Sequence, residues 1–98
     1  MTIEKVLNGE SVKMIIAGRL DTQTAPELEK EIDTLVSSAK ELIFDMNGVE
    51  YVSSAGLRVI LKAQKIMNAK GSMKLTRVND SVMEIFSITG FLDILTVE

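Results

Sequence analysis

Between Leu42 and Met67 the apolar residues change their period, and that change limits the possible folds more than any other feature. Leu42-Ile43-Phe44-Asp45-Met46 is a brief, nearly continuous apolar run, the pattern of a buried central strand. From Ala55 onward the apolar positions fall at helical spacing through Val59, Ile60, Ala63, Ile66 and Met67, with Arg58, Lys62 and Lys65 on the other side. Asn68 to Gly71 ends this helix, and Met73 to Val78 reads as a further strand. Strand, helix and strand in that order call for a crossover, which makes the two strands parallel and lays the helix across them.

The flanking segments extend the same architecture. Ile3 to Leu7 and Ser11 to Ala17 are rich in Val and Ile and are joined through Asn8-Gly9, a strong hairpin signal because both residues tolerate the positive φ of a tight turn. Thr24 precedes Glu27 by three residues with Pro26 between them, which predicts a capping box and a helix start. Leu28, Ile32, Leu35, Val36 and Ala39 continue that helix, and Lys40-Glu41 breaks it. Asn79 or Ser81 caps a third helix carrying Val82, Ile85 and Phe86; Gly90 closes it, and Phe91 to Val97 supplies a last strand. The expected fold is α/β: a small, mostly parallel sheet with an antiparallel N-terminal hairpin, packed by about three helices in one domain over residues 1–98.

The junction between the apolar run and the second helix carries Ser53 and Ser54. The first N–H groups of a helix have no partner inside it, so Ser is favoured there as a cap, and the same donors and dipole receive an anion such as a phosphoryl group. Ala55 and Gly56 follow, so the hydroxyls have only small neighbours and the tip stands open to a partner, which packing alone does not require. Ser37-Ser38-Ala39 echoes the motif at the last turn of the first helix, where unpaired carbonyls and the dipole oppose an anion.

Composition removes many chemistries. The chain has no Cys and no His, so it builds no Ser-His-Asp triad, no Cys nucleophile, no disulfide and no nitrogen–sulfur metal site. A net charge of −3 with Lys and Arg dispersed among the acids argues against nucleic acid as a partner. The opening Met-Thr-Ile-Glu-Lys lacks the layout of a signal peptide, and no apolar run approaches the ~20 residues of a membrane span. A soluble, cytoplasmic protein with no membrane insertion is expected. Asp21 and Asp45 end strands near one sheet edge, but two carboxylates without a phosphate ligand make a poor magnesium site, and turn capping is their expected role. Tyr51 is expected to pack at the strand's edge and the Met residues other than Met1 to fill the core.

At Ser53-Ser54-Ala55-Gly56-Leu57 the chain resembles a STAS domain of the anti-sigma factor antagonist type. Gly18-Arg19-Leu20-Asp21, the run from Phe44 to Val49, and the segment from Ile85-Phe86 to Gly90-Phe91 agree with it in order and spacing, so the likeness covers essentially the whole chain. The resemblance implies a non-enzymatic binding module without cofactor or metal. Its unphosphorylated form would bind an anti-sigma factor that is itself a serine kinase of the histidine-kinase-like ATPase fold; the kinase would phosphorylate the module and a PP2C-like phosphatase would restore it. Aligning the family motif places the phosphoacceptor at Ser54, with Ser53 where the family often has Asp and Arg58 where it often has Gly. The implied partner surface comprises Asp21, Thr22, Gln23, Ser53, Ser54, Ala55, Gly56, Leu57 and Arg58. Two other readings fit the same residues: a STAS accessory subunit of a lipid-transport ABC system or signalling scaffold without phosphate cycling, and an enzyme using Ser54 as a nucleophile, for which Lys or carboxylates are the only candidate bases.

Overall fold

A computed structural model describes residues 1–35 and 37–98. Strands β1 (Thr2–Asn8) and β2 (Ser11–Leu20) form the antiparallel hairpin; helix α1 (Ala25–Leu35), strand β3 (Glu41–Val52), helix α2 (Ser54–Lys70), strand β4 (Ser72–Thr76) and helix α3 (Asp80–Thr89) follow. The sheet runs β1-β2-β3-β4, with β2, β3 and β4 mutually parallel. The α/β fold expected from the residue pattern is therefore present.

Strand alternation sets the layers. Val12, Met14 and Ile16 of β2, Leu42, Phe44 and Met46 of β3, and Met73 and Leu75 of β4 are buried, and Leu28, Ile32, Ile60, Ala63, Met67, Val82 and Phe86 from the three helices join them in one core. Fully burying a side chain such as Phe44 contributes about 2–3 kcal/mol, so this shared layer holds helices to sheet. Four of the six Met residues lie in it, as gap-fillers should. On the surface, Lys62 of α2 bridges Glu29 and Asp33 of α1 at 3.1 Å each, links of small energetic weight.

Several local expectations are corrected. Asn8 lies within β1 and the turn centres on Gly9-Glu10, because a turn with positive φ at its first central residue alone needs glycine there; Gly9 has φ 63°. The capping box forms three residues earlier than Thr24 and Glu27. Asp21 accepts from the Thr24 amide at 3.2 Å while Thr24 Oγ1 accepts from the Asp21 amide at 2.9 Å, so one extra turn precedes Ala25. Helix α1 ends at Leu35; Val36 lies outside the described residues, and Ala39, though buried, falls beyond the helix. Strand β3 does not stop at Met46 but reaches Val52, its pairing with β2 shifting register around Ile15/Ala17 and Gly18/Arg19.

The predicted last strand is reduced to one bridge, Leu75 to Val97. Gly90, in the left-handed region at φ 79°, closes α3 and turns the chain into a short 3-10 helix, Phe91–Asp93. That turn uses the residues a longer strand would have needed.

Candidate functional site

The pairing of β2 with β3 runs to the very start of α2. Leu20 opposes Val52, and the next amide, that of Ser53, donates to the Leu20 carbonyl at 2.9 Å. Ser53 keeps extended backbone (φ −87°, ψ 175°) while its carbonyl accepts from the Leu57 amide at 2.9 Å, and its Oγ accepts from the Gly56 amide at 3.3 Å. Those are the bonds of an N-cap. Ser54 is the first helical residue and is exposed, with no hydrogen bond to its hydroxyl among the described residues. One serine of the pair is built into the fold and the other is presented on it.

This division predicts unequal stability effects. Ser53→Ala is expected to lower unfolding free energy by about 1 kcal/mol, and Ser54→Ala by under about 0.5 kcal/mol, read from urea denaturation midpoints at constant slope. Equal losses would contradict the assignment of Ser53 as the cap.

Gly56 is not the open, partner-facing position that the run of small residues suggests. It is buried against β2 and β3, and a Cβ there would lie 2.7 Å from Leu20 Cγ and 2.8 Å from the Leu20 carbonyl oxygen. Packing does ask for this glycine. Leu57 is likewise buried, Ser53 and Ala55 are half-buried and Arg58 is exposed, so the surface of this helix start is made by Ser54 and Arg58 with Ser53 and Ala55 partly showing beside them.

The β2–α1 turn stands beside it, since Leu20 carries the contact with Gly56 and Asp21 follows directly. Asp21 accepts from the amides of Gln23 (3.0 Å) and Thr24 (3.2 Å), and Thr24 Oγ1 donates to the Arg19 carbonyl at 2.7 Å. The Thr24 amide, foremost, holds the Asp21 carboxyl below the ordinary carboxylate range. Thr22 and Gln23 are exposed at the tip of this turn. The structure thus brings the Asp21–Gln23 turn and the Ser53–Arg58 helix start to one end of the β2–β3 pair.

Arg19 and Tyr51 form a unit that their separation in the sequence does not disclose. They are cross-strand partners, the Arg19 guanidinium lies 4.5 Å from the centroid of the Tyr51 ring, and Arg19 Nε is 3.7 Å from Asp21 Oδ2. Tyr51 stays at the strand's edge, as expected, but remains 38% exposed. The signal was weak because the shared register is visible only once β3 is known to run past Met46.

Asp45 is not at the site. It pairs with Ile15 in mid-strand, and its buried carboxylate accepts from Arg77 Nη2 at 2.8 Å, Arg77 Nε at 3.2 Å and the Asn47 amide at 3.1 Å. The paired-carboxylate idea fails because β2 ends at Leu20 whereas β3 passes well beyond Asp45. Ser38 donates its hydroxyl to the Leu35 carbonyl at 3.3 Å, the arrangement of a helix C-terminus and the opposite of Ser54. Asn79, not Ser81, caps α3 through the Val82 amide at 2.9 Å, and its Nδ2 donates to the Val49 carbonyl at 2.6 Å, tying α3 to the strand that leads into Ser53.

Known proteins match the chain over nearly its whole length. The model of the STAS domain family matches residues 2–98. The anti-sigma-B factor antagonist of Bacillus subtilis is 30% identical over 91 residues, which span 92% of this chain and 84% of that protein. The solved structure of the anti-sigma factor antagonist SpoIIAA in its unphosphorylated form superposes with a TM-score of 0.85 at 17% identity, covering 99% of this chain and 88% of that one. The Bacillus cell fate determinant SpoIIAA in its phosphorylated form gives 0.78 at 16% identity, with 99% and 91% covered. At such identities the two structures speak for the fold alone.

Proposed function

The chain belongs to the STAS domain family, and from that premise we propose that it is an anti-sigma factor antagonist whose hold on its partner is switched by phosphorylation of Ser54. Unphosphorylated, it binds an anti-sigma factor that is also a serine kinase of the histidine-kinase-like ATPase fold. Phosphorylated, it releases that partner, and a PP2C-like phosphatase resets it. The role is that of a cytoplasmic binding module that acts on transcription through its partner, not that of an enzyme.

The observation that carries this reading is the division of labour between the two serines. An acceptor must present a hydroxyl that the fold does not use, and Ser54 does so while Ser53 is spent on the Gly56 amide. A phosphoryl group adds about −1.5 to −2 charge units and three acceptor oxygens at pH 7. At the first helical position the unpaired amides and the dipole tolerate it, so the fold persists and the effect falls on the interface. A partner surface shaped to a small hydroxyl, across Ser54, Ala55, Arg58 and the Asp21–Gln23 turn, then meets a hydrated dianion.

The test is calorimetric titration with the anti-sigma kinase of its own cells, alongside phosphopeptide mapping of the protein recovered from them. Wild type and Ser54→Ala are expected to bind alike, Ser54→Asp about tenfold more weakly or worse, with phosphate found at Ser54. Binding indifferent to Ser54→Asp, with Ser54 bare in cells, would instead favour an accessory subunit that binds without phosphate cycling.

A further inference from the structure

We propose that Arg58 is the internal counter-ion of phosphorylated Ser54, so that modification both adds a dianion to the helix tip and withdraws an arginine from the partner surface. The inference rests on Ser54 as the acceptor. Ser54 and Arg58 are both exposed and four residues apart on α2, which puts them on one face a single turn apart. Long side chains on a helix lean toward its N-terminus, so Arg58 extends toward the turn that carries Ser54.

Among the described residues no carboxylate is paired with it. The positions three and four residues from Arg58 are Ser54, Ala55, Leu61 and Lys62, and the first turn of α2 has no acidic residue. Glu29 and Asp33 of α1 are engaged by Lys62. Asp21 accepts from two amides and has Arg19 at 3.7 Å, while Arg19 is stacked on Tyr51. Among the described residues Arg58 has no ion pair and no side-chain hydrogen bond. It is a cation without a counter-ion, one turn from a hydroxyl without a bond.

A phosphoryl group on Ser54 completes both. The planar guanidinium can donate two parallel N–H bonds to two phosphate oxygens, a geometry that favours the dianion over the monoanion. Two surface features reverse together: the exposed cation is neutralised, and the neutral hydroxyl becomes anionic. A partner that reads Arg58 in the unmodified form therefore loses that contact as well as meeting the phosphate.

The test uses full-length chain carrying phosphoserine at position 54, installed by genetic encoding, as wild type, Arg58→Gln and Arg58→Lys. Phosphorus NMR titration in about 0.1 M salt is expected to show the second phosphate ionisation about half a pH unit lower in wild type than in Arg58→Gln, with Arg58→Lys between them. Phosphoserine is also expected to raise the melting temperature of wild type by about 3 °C more than that of Arg58→Gln. Superimposable titration curves and equal melting shifts for wild type and Arg58→Gln would overturn the proposal. Because no kinase installs the phosphate, that result would leave the acceptor assignment intact; a Ser54 left bare in cells would overturn the assignment without altering these curves.

Discussion

Replacing Gly56 with valine is expected to cost the fold about 3 kcal/mol and to lower the melting temperature by about 15 °C. The reason is contact with backbone as well as side chain. A Cβ at this position meets Leu20 Cγ at 2.7 Å, the Leu20 carbonyl oxygen at 2.8 Å and Val52 Cγ1 at 3.1 Å. Leu20 is fully buried, and its carbonyl is already bonded to the Ser53 amide, so neither atom can step aside without opening the β2–α2 junction. Even Gly56→Ala is expected to lose about 2 kcal/mol, although alanine ordinarily gains about 1 kcal/mol over glycine inside a helix. Thermal unfolding followed by circular dichroism distinguishes the cases: an alanine variant as stable as wild type would mean that the helix start has slack that the geometry denies.

Asp45→Asn is expected to lower stability by about 2 kcal/mol at pH 7, after allowance for the exposed partner, and Arg77→Ala to lower it further. The asymmetry follows from exposure. Asp45 is 2% exposed, so removing arginine strands a buried carboxylate that keeps, among the described residues, the Asn47 amide and Lys13 at 4.0 Å; the Arg77 side chain is 62% exposed and, once released, hydrates freely. Alanine also gives no relief to the backbone, since Arg77 has φ 56° and any Cβ is disfavoured there; Arg77→Gly should be milder than Arg77→Ala for that reason.

Acid removes the difference. The Arg77 hydrogen bonds, first of all, hold the Asp45 carboxyl below its ordinary range, so as pH falls the unfolded chain takes up that proton before the folded one does. The stabilisation is complete above the unfolded carboxylate value of about 4 and is lost as pH drops through the lower folded value. Urea midpoints measured from pH 7 down to about pH 2.5 should show wild type and Asp45→Asn converging below about pH 4. A gap that persists unchanged into acid would assign the effect to packing and not to the ion pair.

The period change around Ser53 was enough to announce the parallel βαβ unit, and Asn8-Gly9 the hairpin, because both are set by local geometry. What the sequence concealed was decided by tertiary contacts. Asn47, Gly48, Glu50 and Tyr51 break the two-residue alternation, so β3 looked finished at Met46; in the structure the chain closes tightly at Gly48, where a Cβ would lie 2.7 Å from Ala17 Cβ, and pairing resumes to Val52. Both Asp21/Thr24 and Thr24/Glu27 have capping-box spacing, and the choice went to the pair that follows directly on the last residue of β2. Arg77 carries no mark of its left-handed backbone, since Asn or Gly is the usual occupant of such a position. At the site itself, helix-start chemistry alone leaves two adjacent serines equivalent as caps, and Ser54 stood apart only through the family resemblance. The Ser53 amide on the Leu20 carbonyl and the Ser53 hydroxyl on the Gly56 amide show which of the two is the cap.

The sheet is laid out in the same order as the chain, β1-β2-β3-β4. No strand has to be inserted between two that are already paired, so during synthesis each newly emerged unit adds to a waiting edge and closes a short loop instead of a long one. By the time Lys70 has left the ribosome, every residue of the end that carries Ser54 has been made, whereas Arg77 and Asn79, which fasten β3 from the far side, come later. The end that carries Ser54 is made first and fastened second, an order in which faults in the fastening segment surface as a loosened helix start before they surface as a missing one.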